Sequence, residues 1–93
     1  MTMEFEWDEN KNQTNIRRRG IDFNDAVRIF LDAYYIEEED ERQDYGEQRF
    51  NVIGQVNGRI LFVTYTYRGE KIRIISARRA EPDERRKYYQ NYP

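Results

Sequence analysis

The chain contains no cysteine and no histidine, and these two absences remove several kinds of chemistry at once. Without cysteine there is no disulfide framework and no thiolate nucleophile, and without histidine the usual zinc ligand sets shrink to carboxylates alone. Ser-His, Cys-His and zinc-water mechanisms are therefore closed. An enzyme of this composition must use carboxylates, Tyr, Lys, Arg or groups that the substrate supplies.

Long apolar runs are also missing. The longest, Ile60 to Val63, has four residues, whereas a membrane-spanning helix needs roughly 20, and no apolar segment typical of a secretory signal follows the N-terminus. Linkers, repeats and low-complexity segments are absent as well. We therefore expect one domain over residues 1 to 93 and, with no cysteine to oxidise, a cytoplasmic protein.

Large rings and charged groups are plentiful instead. Eight Tyr, five Phe and one Trp can fill a small core. The net charge of −2 conceals an asymmetry, because residues 1–47 carry 14 acidic and 6 basic side chains whereas residues 48–93 carry 4 acidic and 10 basic ones. A polyanion is bound by a local patch rather than by the net charge, so the basic second half keeps nucleic acid among the expected partners.

Local patterns predict the order α-α-β-β-β-β-α. A first helix over residues 9 to 19 is capped by Asp8 and Gly20, with a thin apolar face anchored by Ile16 and Trp7. A second helix follows Asp22, where apolar residues recur at helical spacing: Phe23, Ala26, Val27, Phe30 and Leu31.

Period-two patterns then predict an edge strand over residues 34 to 38, a polar loop over residues 40 to 46 and a three-stranded meander. Asn57-Gly58 is a strong hairpin signal, residues 67 to 70 form a second turn, and Pro82 begins a last helix. The expected fold is α+β: two N-terminal helices, a four-stranded antiparallel sheet and a C-terminal helix. If side chains simply alternate along the last strand, Arg73 and Ala77 lie on the same face of the sheet. A guanidinium in the middle of a strand must contact solvent, a carboxylate or a ligand, because burying it unpaired is costly.

RNA is a substrate that suits a chain without His and Cys. Its 2′-hydroxyl is a built-in nucleophile, so cleavage needs positioning, cations at the phosphate and proton transfer, without a metal. Arginine binds phosphate through planar paired donors but cannot act as a base, so Lys, Tyr, Glu or Asp must move protons.

Motifs along nearly the whole chain resemble those of BrnT-type toxins. They are, in order, Phe5-Glu6-Trp7-Asp8, Lys11, Asn15, Gly20, Asp22-Phe23, Ala26, Arg49-Phe50, Gly54, Tyr67-Arg68-Gly69, Arg73-Ile74-Ile75-Ser76-Ala77-Arg78, Glu84-Arg85 and Tyr88. The resemblance implies a RelE-like ribonuclease fold and inhibition of translation by RNA cleavage. It also implies neutralisation by a BrnA-type antitoxin with a ribbon-helix-helix DNA-binding part, so that the toxin reaches operator DNA only through the antitoxin.

Two departures from that family pattern stand out. The chain has Arg18-Arg19-Gly20 where the family commonly has Lys-His-Gly, and Asp32-Ala33 where it commonly has Asp-Pro. Arg19 can hold a phosphate but cannot titrate near neutral pH. The alternative is therefore a weakened or inactive toxin homologue that acts as an antitoxin-binding, operon co-repressing module.

With this resemblance, we predict a catalytic set and an RNA-binding set, with no metal and no other cofactor. The catalytic candidates are Lys11, Arg73, Arg78, Arg79 and Tyr88, in which arginines hold the scissile phosphate and Lys11 or Tyr88 moves protons. The RNA-binding candidates are Trp7, Arg17, Arg18, Arg19 and Arg85.

Structural roles compete with each of these assignments. Strand arginines commonly form cross-strand ion pairs, helix cations commonly form a solvated face or complement the dipole, and Trp7 is more often an anchor than a base-stacking platform. A carboxylate-metal nuclease is a third reading. It is disfavoured because the acidic residues 37 to 41 are consecutive and split between the two faces of a strand.

Overall fold

A computed structural model describes residues 3–42 and 46–93 of the chain. The elements in chain order are β1 (Glu4–Glu6), α1 (Glu9–Arg19), α2 (Phe23–Ala26), a 3₁₀ helix (Val27–Leu31), β2 (Ile36–Asp40), β3 (Arg49–Val56), β4 (Arg59–Arg68), β5 (Lys71–Arg79) and α3 (Pro82–Asn91). The polar loop predicted for residues 40 to 46 lies partly outside the described residues. Its first residue, Asp40, ends β2, which begins and ends two residues later than predicted.

The sheet is mixed and has five strands in the order β1-β5-β4-β3-β2. The α+β class is confirmed, but the prediction of a four-stranded antiparallel sheet was wrong, because β1 adds a fifth strand that runs parallel to β5. Three residues give too short an alternation to signal a strand, and the partner of β1 lies far along the chain. The Asn57-Gly58 hairpin is confirmed: both residues have positive φ, 51° and 79°, as a type I′ turn requires.

Helix α1 begins and ends where its caps predicted. The Asp8 carboxylate accepts hydrogen bonds from the Asn10 and Lys11 N–H groups, and Gly20 ends the helix with φ of 70°. The expected apolar attachment is correct only in part: Trp7 packs against the core, whereas the residues that α1 itself buries are Asn12 and Asn15. The helix is therefore attached by hydrogen bonds from buried amides.

The second predicted helix changes type after one turn. It is α-helical over Phe23–Ala26 and 3₁₀ over Val27–Leu31, and the buried residues recur every third position, as three residues per turn dictate. Phe23, Ala26 and Ile29 each have 0% exposure, whereas Leu31, predicted to face the sheet, is 82% exposed.

A β-bulge changes which residues of β5 share a face. Thr64 of β4 pairs with Ser76 and Tyr65 pairs with Ile74, so Ile75 is the extra residue. Beyond Ile75, the alternation of side chains between the two sheet faces is shifted by one residue. Ala77 consequently joins Ile74 in the core, contrary to the simple parity prediction, and Arg78 lies on the opposite face.

The two faces of the sheet are covered unequally. One face holds the main core, beneath α1, α2 and the 3₁₀ helix. Helix α3 covers only one end of the other face, where Tyr88 packs in a small cluster with Ile53, Ile60 and Ala80. The rest of that second face carries polar side chains, some of them buried, such as Thr64 and Thr66, and some exposed, such as Ser76.

Candidate functional site

A basic groove lies between α1 and the polar part of the second sheet face. It consists of two adjoining cavities of about 340 and 140 Å³ that share Arg19 and Ser76. The larger lies along α1 against Ile75, and the smaller extends over Phe62 and Thr64. Five cations line the two cavities together: Lys11, Arg18, Arg19, Arg42 and Arg78. Among the described residues that line the groove there is no carboxylate.

Asn15 holds α1 at the edge of β5. Strand β1 pairs only with Lys71 to Arg73, and further along that edge the Asn15 side chain replaces a strand. Its amide N–H groups donate to the Ala77 and Ile21 carbonyls, both at 2.9 Å, and its oxygen accepts from the Ala77 N–H at 3.3 Å. Since Lys11, Asn15 and Arg18 follow at helical spacing, the same attachment directs the two cations to the groove.

The three cations of α1 in the groove have no compensating acids. Lys11, Arg18 and Arg19 are all exposed, and within residues 3–42 and 46–93 none of the three forms an ion pair. Arg18 and Arg19 lie in the last turn of α1, where the helix dipole favours positive charge, and Lys11 lies in its first turn. This arrangement leaves their positive charge available to an anion.

Arg78 is the cation that the sheet contributes, and it is held in a fixed position. Its Nη1 and Nη2 atoms donate to the two Glu84 oxygens, each at 2.8 Å, and the guanidinium carbon lies 4.1 Å from the centre of the Phe62 ring. The bonds to Glu84 raise the pKa of Arg78 against the opposing effect of burial, so the group stays charged. Nη1 also donates to the Arg79 carbonyl. The Nε edge has no partner among the described residues, and a guanidinium edge of this kind matches a phosphate.

Arg42 lies beside this position and is tied to the end of β2. Its Nε and Nη2 atoms donate to Asp40 at 2.9 Å each. These bonds hold the pKa of Asp40 well below its ordinary value despite burial. Arg42 and Arg78 line the same cavity, and the Arg42 charge acts to lower the pKa of Arg78 against the larger effect of Glu84.

Three predicted catalytic residues lie outside the groove. Arg73 donates to Glu6 of β1 at 2.6 Å, which is the ion-pair alternative considered for it. Arg79 is exposed and pairs across the sheet with Leu61, on the face opposite Arg78. Tyr88 has no exposed surface and donates to Asp32 at 2.7 Å, and burial together with that carboxylate raises its pKa.

Three predicted RNA-binding residues also lie elsewhere. Trp7 packs edge-on against Phe23 and donates from its indole nitrogen to Glu9, which is the anchoring alternative. Arg17 donates to the Thr14 hydroxyl, and Arg85 donates to the Ala80 carbonyl. The structure therefore brings together four of the ten predicted residues: Lys11, Arg18, Arg19 and Arg78.

Sequence reasoning missed Arg42, Thr64 and Ser76. Ser76 lies within the Arg73 to Arg78 motif but was read as one more alternating strand residue, and only the bulge turns it toward the groove. Thr64 is nearly buried and donates to Asn51 on β3 at 2.8 Å. A polar residue in mid-strand beside apolar neighbours was the available signal for Thr64, whereas nothing local distinguished Arg42.

Two searches of the described residues found nothing. None of the helices there is both long and apolar enough to cross a membrane. In the same residues no three acidic side chains are grouped as metal ligands.

The fold and groove define a class: a small α+β protein in which a helix attached to a sheet edge presents cations beside a polar sheet face. Residues 7–84 match the family described as "Ribonuclease toxin, BrnT, of type II toxin-antitoxin system". The chain therefore belongs to the BrnT ribonuclease toxin family. The matched region contains the whole groove and leaves out β1 and most of α3. No individual curated protein matches the chain significantly.

Proposed function

We propose that this chain is a metal-independent endoribonuclease toxin that inhibits translation by cutting RNA in the basic groove, and that a cognate ribbon-helix-helix antitoxin of the BrnA type neutralises it. The observation that carries the proposal is the convergence of Lys11, Arg18 and Arg19, without acidic partners among the described residues, on Ser76 and the fixed guanidinium of Arg78. A polyanion with a reactive phosphate suits such a groove better than a neutral or cationic substrate does.

The proposed reaction uses the nucleophile that RNA itself carries. The 2′-oxygen attacks the adjacent phosphorus in line, the bond from phosphorus to the 5′-oxygen breaks, and a 2′,3′-cyclic phosphate and a 5′-hydroxyl form. The arginines hold the phosphate and offset the charge that develops on its oxygens. The 2′-hydroxyl loses one proton and the leaving oxygen gains one, and Lys11 is the groove residue able to exchange protons.

The test is cleavage of a 5′-labelled RNA by the purified chain in EDTA. We expect products that end in a 2′,3′-cyclic phosphate, and expression without antitoxin that slows growth and translation. The Arg18→Ala/Arg19→Ala double variant should cut at least about 10-fold more slowly, because each lost charged hydrogen bond costs about 1.5–3 kcal/mol.

Arg17→Ala is the control, since it removes an arginine from the same helix end outside the groove, one charge where the double variant removes two. We expect it to cut at a rate within about 2-fold of the unchanged chain, because exposed charges away from a site contribute little. Intact RNA at every pH from about 5 to 9, together with harmless expression, would exclude a catalytic role.

The second candidate is a weakened or inactive homologue that serves as an antitoxin-binding, operon co-repressing module. It is favoured by one observation: Arg19 lines both cavities, and this is the position at which the family commonly has a histidine able to carry a proton. Arg19→His separates the two candidates. A gain in toxicity and cleavage supports the weakened enzyme, whereas no gain leaves Arg19 as a phosphate contact.

A further inference from the structure

A second surface lies on the opposite side of the sheet from the groove, and its character is aromatic and acidic. At the end of the main face away from the Asn57-Gly58 hairpin, a chain of rings with neighbouring centres 5.3–5.8 Å apart runs from Phe30 of the 3₁₀ helix to the exposed rings of Tyr35 and Tyr67. We name it the aromatic face; it consists of Phe5, Phe30, Tyr35, Phe50, Tyr65 and Tyr67. Tyr65 is buried beneath, whereas Tyr67 is 50% exposed. Clustered rings at the surface are typical of the centre of a protein interface.

Acidic groups border this face. Glu37 and Glu39 of β2 pair with Val52 and Phe50 and so lie on the aromatic side of the sheet. Neither forms an ion pair within the described part of the chain. The acidic border disfavours RNA, since a polyanion would be repelled where the rings could otherwise stack on its bases.

Of the two carboxylates, Glu37 makes direct contact with the rings. Glu37 is exposed at the strand surface, but its carboxylate accepts the Tyr65 hydroxyl, and partial desolvation there raises its pKa. The Tyr67 ring packs edge-on against the same Tyr65 ring at 5.7 Å, and the Glu37 charge raises the pKa of Tyr67 after the larger effect of burial. A charge held among rings without a counter-charge is one that a cation on a partner would stabilise.

We infer that the aromatic face binds a segment of the cognate antitoxin in which Lys or Arg alternates with apolar residues. The inference rests on the proposed function for its partner, the antitoxin. Strand β2 is the edge of the sheet, and its two carboxylates, two residues apart on one face, are separated by roughly 7 Å. Alternate side chains of an extended segment have that same spacing. A second copy of this chain would bring the same acidic border to the contact and be repelled.

The test measures binding of the purified chain to the tagged protein encoded by the adjacent reading frame, by calorimetry. Tyr67→Ala and Glu37→Lys should each weaken binding at least about 10-fold, as central interface residues do. Tyr89→Ala, on α3, and Glu38→Lys, one residue along β2 on the opposite face, are the matched controls and should stay within about 2-fold. Glu37→Gln provides a milder change if Glu37→Lys fails to fold.

Cleavage of labelled RNA by the same variants separates this inference from the proposed function. Weaker antitoxin binding with unchanged cleavage supports both, and weaker binding by a chain that never cuts RNA supports the docking surface alone. Antitoxin binding that is equal for all variants, or absent for the unchanged chain, overturns the docking surface. So does a self-association that Tyr67→Ala abolishes, or a loss of RNA binding in Tyr67→Ala.

Discussion

Asn15 shows how one side chain determines the geometry of the groove. Its amide satisfies three backbone groups, the N–H and carbonyl of Ala77 and the carbonyl of Ile21. Replacing it with leucine keeps the bulk and leaves all three buried groups without partners. We expect Asn15→Leu to lower the free energy of unfolding by about 2–4 kcal/mol, measured by urea denaturation.

The control for Asn15 is Gln13→Leu on the same helix. Gln13 is exposed and donates only to Glu9, so we expect a change within about 0.5 kcal/mol. An equal loss for both variants would mean that helix propensity, rather than the amide contacts, attaches α1.

Glu84 links stability to pH through its contact with Arg78. Burial acts to raise the pKa of Glu84, but the hydrogen bonds from Arg78 and the Glu81 N–H, with the Arg78 charge, lower it below its ordinary value of 4.5. A depressed pKa in the folded state adds stability that is full above the unfolded value and disappears as the pH falls through the folded one.

We therefore expect Glu84→Gln to be less stable than the unchanged chain at pH 7. The difference should begin to shrink as the pH falls below about 4.5, where the unfolded chain takes up the proton, and should disappear as the pH falls through the lower pKa of the folded state. Thermal unfolding at several pH values measures it. A difference that stays constant down to pH 2 would show that the carboxylate charge contributes nothing to the fold.

At the scale of elements, two residues of the 3₁₀ helix test whether the segment is 3₁₀ or α-helical. Ile29 is fully buried and Leu31 is 82% exposed, whereas a continuous α-helix would bury Leu31. Ile29→Ala should cost about 2–4 kcal/mol, as truncations in a core do, and Leu31→Ala should cost about 0.5 kcal/mol or less. Urea denaturation of both variants checks the order, and a larger cost at Leu31 would restore the α-helical reading.

The elements that the sequence predicts well are those with local causes. Asp8 and Gly20 fix the ends of α1 through contacts within a few residues, and Asn57-Gly58 fixes the hairpin through its own backbone. The 3₁₀ segment was misread because Phe23 and Ala26 fit both helix types. Strand β1 was missed because its three residues form a strand only by pairing with β5, which lies more than sixty residues away in the sequence.

The same reasoning explains which site residues could be predicted. Lys11, Arg18 and Arg19 lie on one helix whose ends were predicted correctly, and the structure places all three in the groove. Arg73 was assigned to phosphate because its partner, Glu6, lies on the strand that was missed. The Tyr88 hydroxyl donates to Asp32, 56 residues away, and no local sequence pattern predicts that contact.

At the scale of the whole molecule, charge is separated more than the net value of −2 suggests. Of the described residues, five cations and no carboxylate line the groove, whereas acids lie along both sheet edges, Glu4 and Glu6 on β1 and the acidic run on β2. Opposite surfaces therefore attract opposite partners, and RNA should approach from the groove side. The acidic edges also limit pairing of the sheet with other chains.

Salt dependence of RNA binding tests this separation. Each phosphate neutralised on a single strand contributes a slope of about −0.7 in log K against log salt concentration. Arg18→Ala/Arg19→Ala should reduce the magnitude of the slope by about 1.4, measured by fluorescence anisotropy with a 2′-O-methyl oligonucleotide that cannot be cut. Arg17→Ala/Arg85→Ala removes the same charge outside the groove and should leave the slope unchanged. If both double variants flatten the slope equally, RNA responds to total charge and the groove is not its binding site.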